Sequence, residues 1–248
     1  MSWFTDSIRA FLDRGDRLLL AFCLAASGYG LVLIYSATRY LETNRNMIVQ
    51  AVAILLGILV YVLMSSVDIE LFTEKSWKWM LAFNLVVNLL VRTPLGVEAG
   101  GNRSWISIPG FPVNIQPAEV AKLTFVLLLA WQINKLREKG ISRPSAVFQI
   151  AGHTLFMFAV IAVTSGDFGM GLTYLFIFVV MAWTGGVKKR WFLLAAAVCV
   201  VGIVLIWPHV SDMYFMKRFT VVIDHILGNP DTIYEQTQDV GWQQTRSI

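Results

Sequence analysis

Residues 47–64 read MIVQAVAILLGILVYVLM, eighteen positions without a charge. A helix needs about 20 mostly apolar residues to cross the hydrocarbon of a bilayer, where its backbone must satisfy its own hydrogen bonds. With its flanks this stretch is long enough. Working outward from it, further apolar cores recur at 18–35, 77–91, 118–133, 146–163, 170–183 and 191–207. Together they predict an all-α polytopic membrane protein with about seven transmembrane helices. Composition agrees: 56% of the 248 residues are hydrophobic, only 15% are charged, and the mean hydropathy is +0.63. So few charges cannot cover a water-facing surface, which excludes an ordinary soluble domain.

The connections between the cores set an orientation. Arg9, Arg14 and Arg17, then Lys75 and Lys78, then Lys135, Arg137, Lys139 and Arg143, then Lys188, Lys189 and Arg190 fall on one side. The opposite short connections hold only Arg39, Arg45, Arg92 and Arg103. Lys and Arg in short loops resist translocation, so the N-terminus is expected in the cytoplasm and the tail after Trp207 outside. The formal charge of +4 is spent in these clusters, and that pattern argues against a nucleic-acid partner. Trp77, Trp79, Trp183, Trp191 and Trp207 sit near core ends, as interfacial anchors do.

Three regions follow. Residues 1–17 form a cytoplasmic segment in which Trp3, Phe4, Ile8, Phe11 and Leu12 recur at helical spacing; this reads either as an amphipathic interfacial helix or as a frayed terminus. Residues 18–207 form the transmembrane domain, with a Gly- and Pro-rich outer loop at 92–116, and 208–248 begin a large extracytoplasmic loop. Ile106, Ile108, Phe111, Val113 and Ile115 predict that the first loop packs on the membrane or on the protein. Arg9, Arg14 and Arg17 precede a run that can span and that ends without a small-residue cleavage site, so no signal peptide is read. Cys23 and Cys199 lie inside apolar runs and indicate neither a disulfide nor a metal site.

Few residues carry chemistry. Glu119 and Lys122 follow Pro117 at the start of the fourth core, and i, i+3 spacing puts them on one helix face. An acid and a base in a span must be paired or face a polar cavity. They are either a functional pair or a salt bridge that pins the helix end. Asp167, in the run Thr164-Ser165-Gly166-Asp167-Phe168-Gly169, either faces a cavity or caps the sixth helix, and the two roles are compatible. Asn84 and Asn88, one turn apart in the third core, are expected to hydrogen-bond to a neighbouring helix. His153 has no second His or Cys at ligand spacing and reads as a polar packing residue, not as a zinc ligand. There is no P-loop and no dinucleotide fingerprint.

The run Gly101-Asn102-Arg103-Ser104-Trp105-Ile106, followed by Ile115-Gln116-Pro117-Ala118-Glu119-Val120-Ala121-Lys122-Leu123, resembles the signatures G-x-x-[RS]-W-I and Q-P-[SA]-E-x-x-K of the SEDS family. This family comprises the rod-shape, division and sporulation proteins RodA, FtsW and SpoVE. Ser165-Gly166-Asp167-Phe168-Gly169-Met170 is similar to the family's Q-P-D-x-G-T, with Ser165, Gly166 and Met170 replacing Gln, Pro and Thr. The final run Gly241-Trp242-Gln243-Gln244-Thr245-Arg246-Ser247-Ile248 is similar to G-Y-Q-x-x-Q-S. Ser104 stands where many members carry Arg, as in some rod-shape members, and on this the chain looks nearer to RodA than to FtsW.

The resemblance implies the N-terminal two-thirds of a peptidoglycan glycosyltransferase in the bacterial plasma membrane. Such an enzyme polymerises lipid II, a disaccharide-pentapeptide on undecaprenyl pyrophosphate, beside a class B penicillin-binding protein. Substrate-binding candidates are Arg103, Trp105, Glu119, Lys122, Asp167, Arg218, Gln243 and Ser247. Arg103, Lys217 and Arg218 suit pyrophosphate oxygens, although Lys217 and Arg218 taken singly read first as solvated surface charges. The family's essential acidic residue is expected beyond Ile248, so the chain alone is expected to lack activity. No cofactor is indicated; a divalent cation stays open, but nothing in the sequence calls for one. Two other functions stay open: a flippase for the lipid-linked precursor, with Glu119, Lys122 and Asp167 along its pathway, and a non-catalytic scaffold for the penicillin-binding protein.

Overall fold

The computed structural model describes residues 16–39, 45–65, 67–99, 102–110 and 113–210. Of the segment expected at 1–17, residues 1–15 lie outside them, as do residues 211–248 of the outer loop expected from 208 onward.

Within the described residues the chain forms seven α-helices: α1 (Arg17–Thr38), α2 (Arg45–Met64), α3 (Ile69–Leu89), α4 (Pro117–Glu138), α5 (Pro144–Ser165), α6 (Phe168–Thr184) and α7 (Lys189–Val210). Each contains one of the seven apolar cores, except that α3 stops at Leu89 and a short 3₁₀ turn, Leu90–Arg92, completes it. By length and composition α1, α2 and α5 are apolar enough to cross a membrane, and α6 is a shorter apolar helix of 17 residues. Charged residues near their ends, Glu70, Glu74, Lys75 and Lys78 in α3 and Glu119, Lys122, Lys135 and Arg137 in α4, dilute two further apolar runs.

Helix starts follow local chemistry. Asp16 caps α1 by accepting the Leu19 N–H at 2.9 Å, and Asp68 caps α3 by accepting the Leu71 N–H at 3.0 Å. Each carboxylate satisfies one of the donors that a helix leaves unpaired at its start. The cap at Asp68 lets α3 begin two turns before its apolar core, through Glu70, Glu74 and Lys75.

The residues fall into two compact units, one comprising 1–131 with 163–166 and the other 132–162 with 167–248. In the first unit α1 packs on α2, and Tyr61 donates from its hydroxyl to the Asp16 carbonyl at 2.9 Å. Neither helix has a buried residue. Their apolar surface suits lipid, which replaces water as the solvent of such a face. The buried positions of this unit lie on α3, on α4 and in the outer loop: Met80, Val91, Ile106, Ala121, Phe125 and Leu129. In the second unit Ile150, Met157, Ile161 and Tyr174 are fully buried. There Gly171 admits the Phe158 ring, which would lie 2.8 Å from a Cβ at that position.

The loop after α3 contains strands, which the sequence reading did not anticipate. Gly96–Ala99 (β1) pairs antiparallel with Asn102–Ile106 (β2), with Gly96 opposite Ile106 and Val97 opposite Trp105. A further bridge joins Ile106 to Ile115, through hydrogen bonds of 2.8 and 2.9 Å. The chain reaches Pro117 two residues later, so the hairpin leads directly into α4.

Candidate functional site

Polar side chains concentrate where this hairpin meets α4. Successive strand residues point to opposite faces, and β2 follows that rule. Ser104 and Ile106 are buried, while Arg103 is exposed and shares its face with the half-buried Trp105. Two of the predicted binding residues are thereby brought side by side. Arg103 donates from Nη2 to the Thr93 carbonyl at 2.9 Å, and its Nε lies 2.9 Å from where a Cβ on Gly96 would stand. Gly96 is required here, because that Cβ would also lie 1.9 Å from the Val91 carbonyl oxygen.

Arg92 reaches in the other direction, donating to the carbonyl of Val163 in the last turn of α5. The final carbonyls of a helix lack intrahelical partners and carry partial negative charge, so a guanidinium is well placed there. Sequence reading treated Arg92 only as a loop cation. The turn that follows, Gly166 at φ +69°, also approaches the hairpin, with Asn102 Oδ1 3.7 Å from where a Gly166 Cβ would be.

Lys122 bridges both oxygens of Glu119 at 2.9 Å. The pair is not buried: the side chain of Lys122 is 20% exposed and that of Glu119 53%. At about 100° per residue, Ala118, Ala121, Phe125 and Leu129 form the buried stripe of α4, and Leu123, 70% exposed, lies on the other side. Lys122 and Glu119 occupy the flank between the two stripes. Position on this flank, in the helix's first turns, lets the pair meet a polar ligand from the side. The carboxylate also lies near the positive end of the helix dipole.

Behind the pair, Asn84 of α3 is fully buried and its Oδ1 accepts the Thr124 hydroxyl of α4, which also donates to the Ala121 carbonyl at 3.0 Å. Asn88 donates from Nδ2 to the Asn84 carbonyl at 2.8 Å. The expected interhelical hydrogen bond is therefore present at Asn84, whereas Asn88 bonds along its own helix. Asn84 Nδ2 and Ser104 Oγ are among the buried polar atoms that keep no hydrogen-bond partner within the described residues. An unpaired buried donor costs about 1–3 kcal/mol, and Ser104 lies inside the signature run.

Asp167 belongs to the second unit. It is the N-cap of α6, accepting the Met170 N–H through Oδ1 at 2.9 Å. Of the two roles read from sequence, capping is made. In the same unit His153 pairs through Nδ1 with Gln132 Oε1 at 3.1 Å, as a polar packing residue does. Arg218, Gln243 and Ser247 fall outside the described residues. Among the described residues no group of three His, Cys, Asp or Glu is placed to hold a metal.

An all-α polytopic membrane protein with a hairpin-led polar corner on its fourth helix is thus defined. Residues 16–248 match the family of cell cycle proteins that unites FtsW, RodA and SpoVE. The chain belongs to this family, the SEDS family that its motifs resembled. It is similar to proteins named probable peptidoglycan glycosyltransferase FtsW. One, from Trichlorobacter lovleyi, is 25% identical over 240 residues, covering 94% of this chain and 59% of the relative. Another, from Nitrosococcus halophilus, is 28% identical over 236 residues, covering 90% and 58%. A third, from Geobacter metallireducens, is 26% identical over 188 residues, covering 73% and 49%. A chain from a solved peptidoglycan synthase complex, described for its coordination of polymerization and crosslinking, superposes with a TM-score of 0.68 at 25% identity, over 90% of this chain and 62% of that one. The chain thus spans about half to three-fifths of the length of these curated relatives. The sequence reading leaned toward RodA; the relatives named here carry the FtsW name.

Proposed function

We propose that the protein containing this chain is a peptidoglycan glycosyltransferase of the bacterial plasma membrane, polymerising lipid II beside a class B penicillin-binding protein. The family match over residues 16–248 supports this reading, as do the activity named for the relatives and the synthase complex that supplied the structural neighbour. The observation that carries it is local. The family signature folds as a hairpin that bears Arg103 and Trp105 and leads, through the Ile106–Ile115 bridge, into the first turns of α4, which bear the Glu119–Lys122 pair.

The chemistry that such a site must support is glycosyl transfer. A sugar hydroxyl of one lipid-linked disaccharide attacks the anomeric carbon of another, a base takes the hydroxyl proton, and the carbon–oxygen bond to pyrophosphate breaks with its electrons leaving on oxygen. Cations close to the departing pyrophosphate stabilise that charge as it develops. Lys122 and Arg103 are the cations proposed for substrate contact, with Glu119 holding Lys122 in place. Trp105 offers an apolar face for a sugar ring. Asp167, which caps α6 through Oδ1, is a further proposed substrate contact. The base is assigned to no residue of this chain. N-terminus inside and hairpin outside is the orientation that brings the corner to the leaflet where polymer is made.

The test is reconstitution with lipid II of the protein expressed from its gene together with any sequence that continues past Ile248. Polymeric glycan on a gel is the expected result. Translocation of labelled lipid II without polymer would replace this reading by transport, and capture of a penicillin-binding protein with neither activity would leave a scaffold.

A further inference from the structure

We infer that the connections α4–α5 and α6–α7 together build a phosphate-binding site for the headgroup of an anionic phospholipid. Arg137, Arg143, Lys188 and Arg190 line one pocket of about 460 Å³, and no carboxylate lines it. None of the four makes an ion pair among the described residues. All four are exposed, so each alone is an ordinary solvated cation. What sets them apart is that the fold ties the two loops together.

Ser142 makes that tie. Its Oγ accepts the Lys188 N–H at 3.0 Å, and its carbonyl accepts the Trp191 indole N–H at 3.0 Å. Gly140, at φ +91°, turns the chain so that the Arg143 side chain folds back over it, with Nε 3.3 Å from where a Cβ would stand. The cations are held in a concavity instead of being spread along two mobile loops. A preference for positive charge in cytoplasmic loops explains why Lys and Arg occur here. It does not require that cations from separate loops line one cavity without a counter-charge.

The ligand class follows from charge, size and depth. Guanidinium and ammonium donors suit phosphate oxygens, and Arg does so with two parallel hydrogen bonds. Pockets of about 300–1,000 Å³ hold small organic ligands, so 460 Å³ admits a glycerophosphate group. The pocket lies beside Trp191 and the end of α6 that carries Trp183, where aromatic side chains mark the membrane interface. Basic pockets between helices at that level hold anionic headgroups. This inference does not depend on the glycosyltransferase reading.

The experiment measures lipid retained by the purified 248-residue chain in mixed micelles of phosphatidylglycerol and phosphatidylcholine, by native mass spectrometry. Phosphatidylglycerol should be retained in preference. Replacing two cations, Arg143→Gln with Lys188→Gln, should lower its retention at least about tenfold, whereas Lys75→Gln with Lys78→Gln should leave it unchanged. Equal retention of the two lipids, or an unaffected Arg143→Gln/Lys188→Gln variant, overturns the site. Displacement by inorganic phosphate at the same concentration as the lipid overturns the lipid assignment in favour of a free anion. Should that variant not fold, a photoreactive phosphatidylglycerol on the unaltered chain decides the matter: label on the peptides spanning 137–143 and 185–190 supports the site, and label elsewhere refutes it.

Discussion

Two polar regions, one in each unit, treat their cations in opposite ways. In the hairpin region, Arg92 is closed onto the Val163 carbonyl, Arg103 onto the Thr93 carbonyl and Lys122 onto Glu119. In the loop region, Arg137, Arg143, Lys188 and Arg190 gather without a carboxylate among them. The first region spends its charges on shaping itself, so a ligand there meets a fixed surface and must exchange one partner for another. The second spends neutral hydrogen bonds, those of Ser142, on its shape and leaves its charges for an anion. Rigid donors aimed at developing charge suit transfer chemistry, whereas unpaired cations at an interface suit lipid.

Breaking the hairpin region at its tightest point should have the largest effect. In Gly96→Ala the new methyl would stand 1.9 Å from the Val91 carbonyl oxygen, a backbone atom that cannot swing aside. A loss of about 3 kcal/mol or more is expected, read as a lowered melting temperature in detergent and as new protease cleavage between 93 and 107. A smaller loss, about 1–2 kcal/mol, is expected for Thr124→Val, which strips the buried Asn84 amide of its side-chain partner. Adding Asn84→Leu should restore part of it, because two apolar groups then replace a broken polar pair.

Asp167→Ala should cost about 1 kcal/mol through the lost cap on α6. Asp167→Asn keeps a capping oxygen and should be near neutral in stability. Polymer formation that falls in the Asn variant therefore reports on the carboxylate and not on the helix. The smallest stability effect belongs to Glu119→Ala, about 0.2–0.5 kcal/mol, since an exposed i, i+3 pair contributes no more. That small figure sharpens the contrast between the two regions: a pair that does little for folding is free to serve binding.

Helices were the legible part of this fold, because uninterrupted apolar runs leave a chain in lipid few alternatives. The interhelical bond of Asn84 was legible for the same reason, a buried amide in a span needing a partner. The start of α3 was less so, since Glu70, Glu74, Lys75 and Lys78 hide two helical turns that the Asp68 cap begins. The hairpin escaped because β1 has four residues and β2 five, too short for alternation to stand out beside Gly and Pro. Of the apolar loop residues expected to pack, Ile106 is buried while Ile108 and Val113 are exposed, and Phe111 lies outside the described residues. For Glu119 and Lys122, spacing gave the contact but not the burial. The rotation of α4 is fixed by Ala118, Ala121 and Phe125, which claim the core and leave the ion pair on the flank. Ser104 carried no signal as a buried hydroxyl until β2 placed it on the inner face.

The central claim is that the corner formed by the hairpin and the first turns of α4 handles substrate. Its most direct measurement is glycan polymer made from lipid II by the gene's full product carrying Lys122→Met, with the melting temperature followed in parallel. The account predicts polymer lowered at least about tenfold, since a cation beside the departing pyrophosphate is removed, with a melting temperature near that of the unaltered protein. Polymer at the unaltered level, from a protein that melts normally, would contradict it.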